Sequence, residues 1–313
     1  MINFYSLDDI HQIGETVVAL GNFDGVHKGH QELIRRTVNN ALSANLKSAV
    51  FTFSNHPKNV VTGENAVKNI LYKDEKEKIL EDLGVDYLFS VDFDHAMEQM
   101  EADDFIKNIL VNKLRMREAF CGFNFRFAYK GSGTPETLMH IGLSEGFGLH
   151  VLEPYMVRGQ IVSSSVIRNH IASGEVDRCL SLMGRYYSTR GTVVMGNRLG
   201  RTIGFPTSNI TIDEEMVTPA NGVYITFCSH NSIRYPSVTN VGLKPTVKGG
   251  NKVKNMETHI FDFNKDIYGK EIRVEFLEKI RDEFEFESME VLATQIKKDC
   301  LTAASYHGII NRQ

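Results

Sequence analysis

Thr16-Val17-Val18-Ala19-Leu20-Gly21-Asn22-Phe23-Asp24-Gly25-Val26-His27-Lys28-Gly29-His30 runs from an apolar segment through a glycine-rich turn into a helix start. Thr16 to Leu20 has the length and composition of a buried strand. From His30 to Ala44, Ile34, Val38, Ala41 and Leu42 recur at helical spacing. His27 and His30, three residues apart in the first turn, project from one face. A helix start offers unpaired backbone N–H groups and a partial positive charge, so this turn suits an anion, most directly a phosphate. Glycines at 21, 25 and 29 let the backbone approach such a ligand closely.

Outward from this stretch the first half alternates. Lys47 to Phe53, Tyr87 to Phe93, Glu118 to Gly122 and Leu149 to Leu152 read as strands. Asp74 to Leu83, Asp103 to Lys113 and Pro135 to Glu145 read as helices between them. This rhythm predicts an α/β fold, a parallel sheet with helices on both faces, whose ligands sit at the carboxyl ends of the strands. Ser164 to Met183 reads as a helical connector.

After about Gly184 the character changes. Val193 to Met195, Gly222 to Cys228, Pro236 to Val241, Glu257 to Phe263 and Ile272 to Leu277 are strand-like and separated by turn signals, which predicts a small antiparallel barrel. A final helix is expected from Ser288, with Met289, Leu292, Ile296 and Ala303 on its buried stripe. Two domains, 1–183 and 184–313, follow.

Composition narrows the partners. The 313 residues carry a net charge of -4, which gives no global attraction to a nucleic acid, so any phosphate chemistry is local. No apolar run reaches the length of a membrane span and the start lacks a signal peptide's pattern, so the expected location is the cytoplasm. Cys121, Cys179, Cys228 and Cys300 are scattered, as buried reduced thiols are, with no zinc or disulfide spacing.

The ten residues Gly21 to His30, containing the HxGH form at His27-Lys28-Gly29-His30, resemble those of the bacterial bifunctional riboflavin kinase/FMN adenylyltransferases, the FAD synthetases. HxGH alone marks a wider nucleotidyltransferase superfamily. The resemblance continues in Thr52-Phe53-Ser54-Asn55-His56-Pro57, in Gly122-Phe123-Asn124-Phe125-Arg126-Phe127 and in Ser163-Ser164-Ser165-Val166-Ile167-Arg168. It implies a Rossmann-like domain in which His27, His30, Asn22 and Arg168 act on ATP. Gly21, Phe23, Asp24, Gly29, Asn124, Ser163, Ser164 and Ser165 would line that site. Serine hydroxyls at a helix start can donate to phosphates, and an arginine can grip them with two bonds. Ser165 and Ala128 stand where the family commonly has threonine and glycine.

A second string, Gly196 to Asn209, resembles the riboflavin kinase motif with its Gly-Phe-Pro-Thr-Ala-Asn core. The likeness implies a phosphate loop from Gly196, Gly200, Gly204, Phe205 and Pro206. It also implies magnesium held through the neutral oxygens of Thr207 and Asn209. Asn240 to Thr246 and Glu257 to Phe263 resemble further kinase segments, which makes Glu257 the catalytic base and Arg281 a flavin or phosphate contact. Met195, Lys244 and Val247 depart from the family's common residues.

The implied function is synthesis of FMN from riboflavin and of FAD from FMN. ATP is the co-substrate and Mg2+ the cofactor; riboflavin, FMN, FAD and ATP are the partners, with no nucleic acid and no membrane. The oligomeric state stays open. One alternative is a monofunctional FMN adenylyltransferase whose barrel only binds flavin. An RNA-acting HxGH enzyme is disfavoured by the absence of a Lys-Met-Ser-Lys-Ser-like string, and a flavin-responsive module with dead sites by the intact His27, His30, Arg168, Thr207, Asn209 and Glu257.

Overall fold

The computed structural model describes residues 1–63, 65–196, 204–245 and 252–309. By its contacts the chain forms two compact units, Met1–Ser164 and the remainder from Ser165. Among the described residues the first unit contains one six-stranded sheet. Its strands are β1 Ile2–Phe4, β2 Thr16–Leu20, β3 Lys47–Phe53, β4 Tyr87–Val91, β5 Met116–Gly122 and β6 Gly148–Leu152, in the order β1-β4-β3-β2-β5-β6 with every pairing parallel.

Alternation along the strands explains the two covered faces. Val18, Leu20, Ala49, Phe51 and Phe89 pack one way, against Phe105, Ile106, Ile109 and Leu138. Val17, Ala19, Val50 and Leu88 pack the other way, against Leu33 and Ile34 of α1 (Lys28–Ala44) and against Leu80. All five residues of β2 are buried, as a central parallel strand requires.

Two segments depart from the expected helices. Ala102–Asp104 is α-helical, but Phe105–Lys113 is wound as a π-helix. The wider winding puts Phe105, Ile106, Ile109 and Leu110 together in the core. The connector is two helices, Ser164–Ser173 and Asp177–Met183, because Gly174 takes a left-handed φ of 86° that ends the first.

The second unit contains a closed antiparallel barrel. Its described strands are β9 Tyr187–Val194, β10 Ser208–Thr211, β11 Gly222–His230, β12 Ile233–Pro245, β13 Lys252–Ile260 and β14 Glu271–Arg281, ordered β10-β13-β12-β11-β14-β9. A short hairpin of β7 Met156–Val157 and β8 Gln160–Ile161 precedes the connector. β10 begins inside the stretch read from sequence as a phosphate loop. Inside the barrel, buried hydroxyls satisfy one another: Thr226 bonds Ser237 and Thr239 at 2.8 Å each, and Thr239 bonds Thr258 at 2.9 Å. A C-terminal helix, Met289–Tyr306, starts at Ser288, whose hydroxyl accepts from Val291 N–H at 3.3 Å. Its Cys300 and Ala303 pack with Val223, Ile225, Val238 and Leu277 of the barrel. The four cysteines are free and buried, and desolvation pushes each thiol up to about 12, which makes them unreactive.

Candidate functional site

In the first unit, β2 lies between β3 and β5, the point from which the chain winds outward in both directions. Open parallel sheets bind ligands in the crevice at such a point, beyond the carboxyl ends of the strands. The loop leaving β2 is strained there, with Phe23 at φ 48° and Val26 at φ 29°. Such conformations cost about 1–3 kcal/mol each. Both side chains are 0% exposed, and burial of a large apolar side chain contributes about 1.5–3 kcal/mol, enough to hold them. Gly25, at φ 77°, supplies the left-handed turn between them.

Hydrogen bonds fasten this loop on three sides. Thr52 Oγ1 donates to the Asn22 carbonyl at 2.9 Å, Ile70 N–H to Asp24 Oδ1 at 3.0 Å, and Ser164 Oγ to the Asp24 carbonyl at 2.8 Å. His27 is the N-cap of α1, its Nδ1 accepting from His30 N–H at 3.2 Å. The proton of the neutral His27 ring therefore sits on Nε2. The two imidazoles stack with centroids 3.6 Å apart and planes 16° apart, and the Phe23 ring meets His30 edge-on at 5.1 Å. A Cβ on Gly29 would lie 3.1 Å from Tyr155 Cβ and 3.3 Å from the His27 ring, so this glycine makes room for the histidine pair itself.

Asn124 follows β5 in a turn closed by Phe125 N–H donating to the Gly122 carbonyl at 3.0 Å. Asn22, His27 and Asn124 thus follow the carboxyl ends of two paired strands. Asn22 and Asn124 are exposed, while His27 is 6% exposed. Gly21 leads out of β2, and Ser163 precedes the helix that starts at Ser164. That helix carries exposed Ser165 and half-buried Arg168, both in the second unit by contacts.

Sequence reasoning missed Lys76. It lies in Lys73-Asp74-Glu75-Lys76-Glu77-Lys78, a charge run that reads as a solvated helix face. Its Nζ instead donates to the Phe53 carbonyl at the end of β3, at 3.4 Å. Burial lowers its pKa, and the nearby charge of Asp24 opposes that shift.

In the second unit a cavity of about 320 Å³ lies along the barrel wall, lined by Thr207, Asn240, Glu257, Arg281 and Phe284 among others. Strand register builds its polar side. Glu257 on β13 pairs with Asn209 on β10 and with Asn240 on β12, setting a carboxylate between two amides across three strands. Asn209 is 5% exposed, and its Oδ1 accepts from Asn255 Nδ2 at 3.3 Å. A Cβ at Gly196 would overlap the Asn209 amide, so only glycine fits against it. The His259 ring Nδ1–H donates to the Pro206 carbonyl at 2.8 Å, and Phe205 meets that ring edge-on at 5.6 Å. Burial lowers the His259 pKa, and this bond to Pro206 opposes the shift. Gly204 turns the chain at φ 84°; Gly200 lies outside the described residues.

Arg281 is held firmly. Its Nε and Nη2 donate to Asp299 of the C-terminal helix at 3.0 and 2.8 Å, and Gln295 donates to the same carboxylate at 2.8 Å. The guanidinium lies 4.6 Å from the Phe284 ring centroid, forming a flat charged wall. Asn240 and Asp299 were visible in the sequence only as parts of longer strings. The strand register and the helix packing assign them to this cavity.

The two units correspond to two known enzyme modules. Residues 9–166 match the family model for FAD synthetase, and residues 183–307 match that for riboflavin kinase. The chain is 36% identical over 290 residues to the bifunctional riboflavin kinase/FMN adenylyltransferase of Haemophilus influenzae, covering 92% of this chain and 93% of that one. It is 34% identical over 300 residues to the enzyme of the same name from Bacillus subtilis, covering 95% and 94%. A crystal structure described as a macrolide-efflux protein from Streptococcus pneumoniae matches with TM-score 0.88 and 32% identity over 96% of this chain and 98% of that one. Among the described residues no helix is long and apolar enough to cross a membrane. This chain belongs to the bifunctional riboflavin kinase/FMN adenylyltransferase family. It is an enzyme that phosphorylates riboflavin to FMN and adenylylates FMN to FAD, both at the expense of ATP.

Proposed function

We propose that adenylyl transfer is served by the loop after β2 and riboflavin phosphorylation by the cavity at Glu257. In the first reaction a phosphate oxygen of FMN attacks the α-phosphorus of ATP and pyrophosphate leaves. The α1 start, His27, His30 and Asn22 stabilise the charge that builds on the phosphates. Gly21, Phe23, Asp24, Gly29, Asn124, Ser163, Ser164 and Ser165 shape the ATP site, and Arg168 holds the departing pyrophosphate. In the second reaction the terminal ribityl hydroxyl of riboflavin attacks the γ-phosphorus of another ATP, ADP leaves, and Glu257 takes the hydroxyl proton. Gly196, Gly200, Gly204, Phe205 and Pro206 form the phosphate loop, while Arg281 closes the flavin side.

The observation that carries this division is the pair of constructions themselves: stacked histidines on a helix start in one unit, and Glu257 between Asn209 and Asn240 in the other. We assign domains of 1–183 and 184–313, with the helices of 164–183 as connector, and the cytoplasm as location. Thr207 and Asn209 offer neutral oxygens, and among the described residues no cluster of three His, Cys, Asp or Glu side chains forms a metal cage. That donor set fits magnesium that arrives with phosphates and keeps waters, rather than a stripped ion. Bound there, magnesium would neutralise phosphate charge during transfer.

Incubating the protein with riboflavin, ATP and magnesium and separating the flavins tests the whole reading. FMN should appear first and FAD after it, and a chelator should stop FMN formation. FMN formation at an unchanged rate in chelator would overturn the metal assignment.

A further inference from the structure

Lys76 stands out among the charged groups outside the residues already assigned. Its helix, Lys73–Asp82, buries Leu80 and exposes Lys73, Asp74 and Lys78 to solvent. Lys76 turns inward to the carboxyl end of β3, where its Nζ meets the Phe53 carbonyl. That is the same edge of the sheet from which the histidine loop emerges, since β2 and β3 are parallel neighbours. Thr52, one residue before Phe53, grips the Asn22 carbonyl. Asp24 grips Ile70, which precedes the helix of Lys76 by three residues. The β3 end, the 70–76 segment and the Asp24 turn therefore close on one another, with a cation among them.

The charges around this ammonium are few. Asp24 from the loop and Glu77 from its own helix attract it, and Lys73 repels it. Lys76 is half-buried, and drawing an ammonium away from water is costly unless its charge is used. Asp24 is the acidic group that another element brings near it. Its carboxylate and carbonyl already tie the loop down, and the loop leads within three residues to His27.

We propose that Lys76 is a positioning residue for adenylyl transfer: its ammonium ties the 70–76 segment to the end of β3, and that segment, through Ile70 N–H on Asp24, holds the turn that leads to the His27–His30 pair. The inference rests on assigning adenylyl transfer to this loop. Charged Lys76 is the working form, so raising the pH until the ammonium loses its proton releases the turn and lowers the rate. Desolvation brings that loss below the ordinary lysine range.

The test compares wild-type, Lys76→Met and Lys76→Arg proteins, following FAD formation from supplied FMN across about pH 6 to pH 10. The unfolding midpoint of each sample reports on folding of the first unit, and riboflavin phosphorylation on that of the second. Lys76→Met should lose about a hundredfold in kcat/KM for adenylyl transfer, the scale of a small misplacement of reacting groups, with phosphorylation unchanged. Lys76→Arg should recover most of the rate, and the alkaline fall of the wild-type profile should move upward, because arginine keeps its proton. If Lys76→Met fails to fold, the alkaline shift in Lys76→Arg decides alone. Equal activity of Lys76→Met and wild type, or an alkaline limb that stays in place in Lys76→Arg, would overturn the proposal. Wild-type protein that makes FMN but no FAD would instead overturn the assignment of the loop beneath it.

Discussion

On the proposed division, the two units meet the same problem, holding ATP phosphates, with different materials. The first uses backbone: a strained loop, buried Phe23 and Val26, and a helix start capped by His27. The second uses strand register: Glu257 is placed by its pairing with Asn209 and Asn240, and the cavity is closed by a separate helix through Asp299. A loop-built site depends on a few backbone conformations, so single side chains next to it act through geometry. A register-built site is held by many ladder bonds, and its side chains can be changed one at a time with the frame intact.

Four substitutions sharpen this contrast. Glu257→Ala should lower FMN formation by about 10²–10⁴, the usual worth of a positioned general base, and leave FAD formation from supplied FMN unchanged. His30→Ala should lower FAD formation by about 10²–10³, as loss of one charge-stabilising donor does, and leave FMN formation unchanged. Equal loss of both activities in either variant would break the division between units. Asp299→Ala should strip Arg281 of its carboxylate, a pair with side chains 17% and 5% exposed. Leaving one partner of a buried pair alone costs about 3 kcal/mol, visible as a lower unfolding midpoint and a raised KM for riboflavin. Gly25→Ala should cost about 1–2 kcal/mol of stability, because an alanine must take a left-handed φ there, and its Cβ would lie 3.1 Å from Ile70 Cδ1. FAD formation should fall more than FMN formation.

Much of this was legible in the sequence, for a physical reason in each case. β2 was read from its apolar run, which is what a strand buried on both faces requires. The histidine pair was legible because a three-residue spacing on a helix forces proximity. The π-winding of Phe105–Lys113 was not, since its apolar residues also suit an ordinary helix. The break at Gly174 was passed over because an isolated glycine inside a helical pattern does not show its φ. Glu257 was named through family resemblance, but its alignment with Asn209 and Asn240 depends on pairing across strands distant in sequence. Lys76 was hidden for the opposite reason: its neighbours are all charged, and only the tertiary fold brings its ammonium to the end of β3.

The most direct test of two sites that work separately is complementation. His30→Ala and Glu257→Ala proteins are mixed with riboflavin, ATP and magnesium, and the flavins are separated over time. Alone, the first should stop at FMN and the second should leave riboflavin largely unconverted. Together they should make FAD, because FMN released by one is adenylylated by the other. A mixture that accumulates FMN without forming FAD, while Glu257→Ala retains its native unfolding midpoint, would contradict the account.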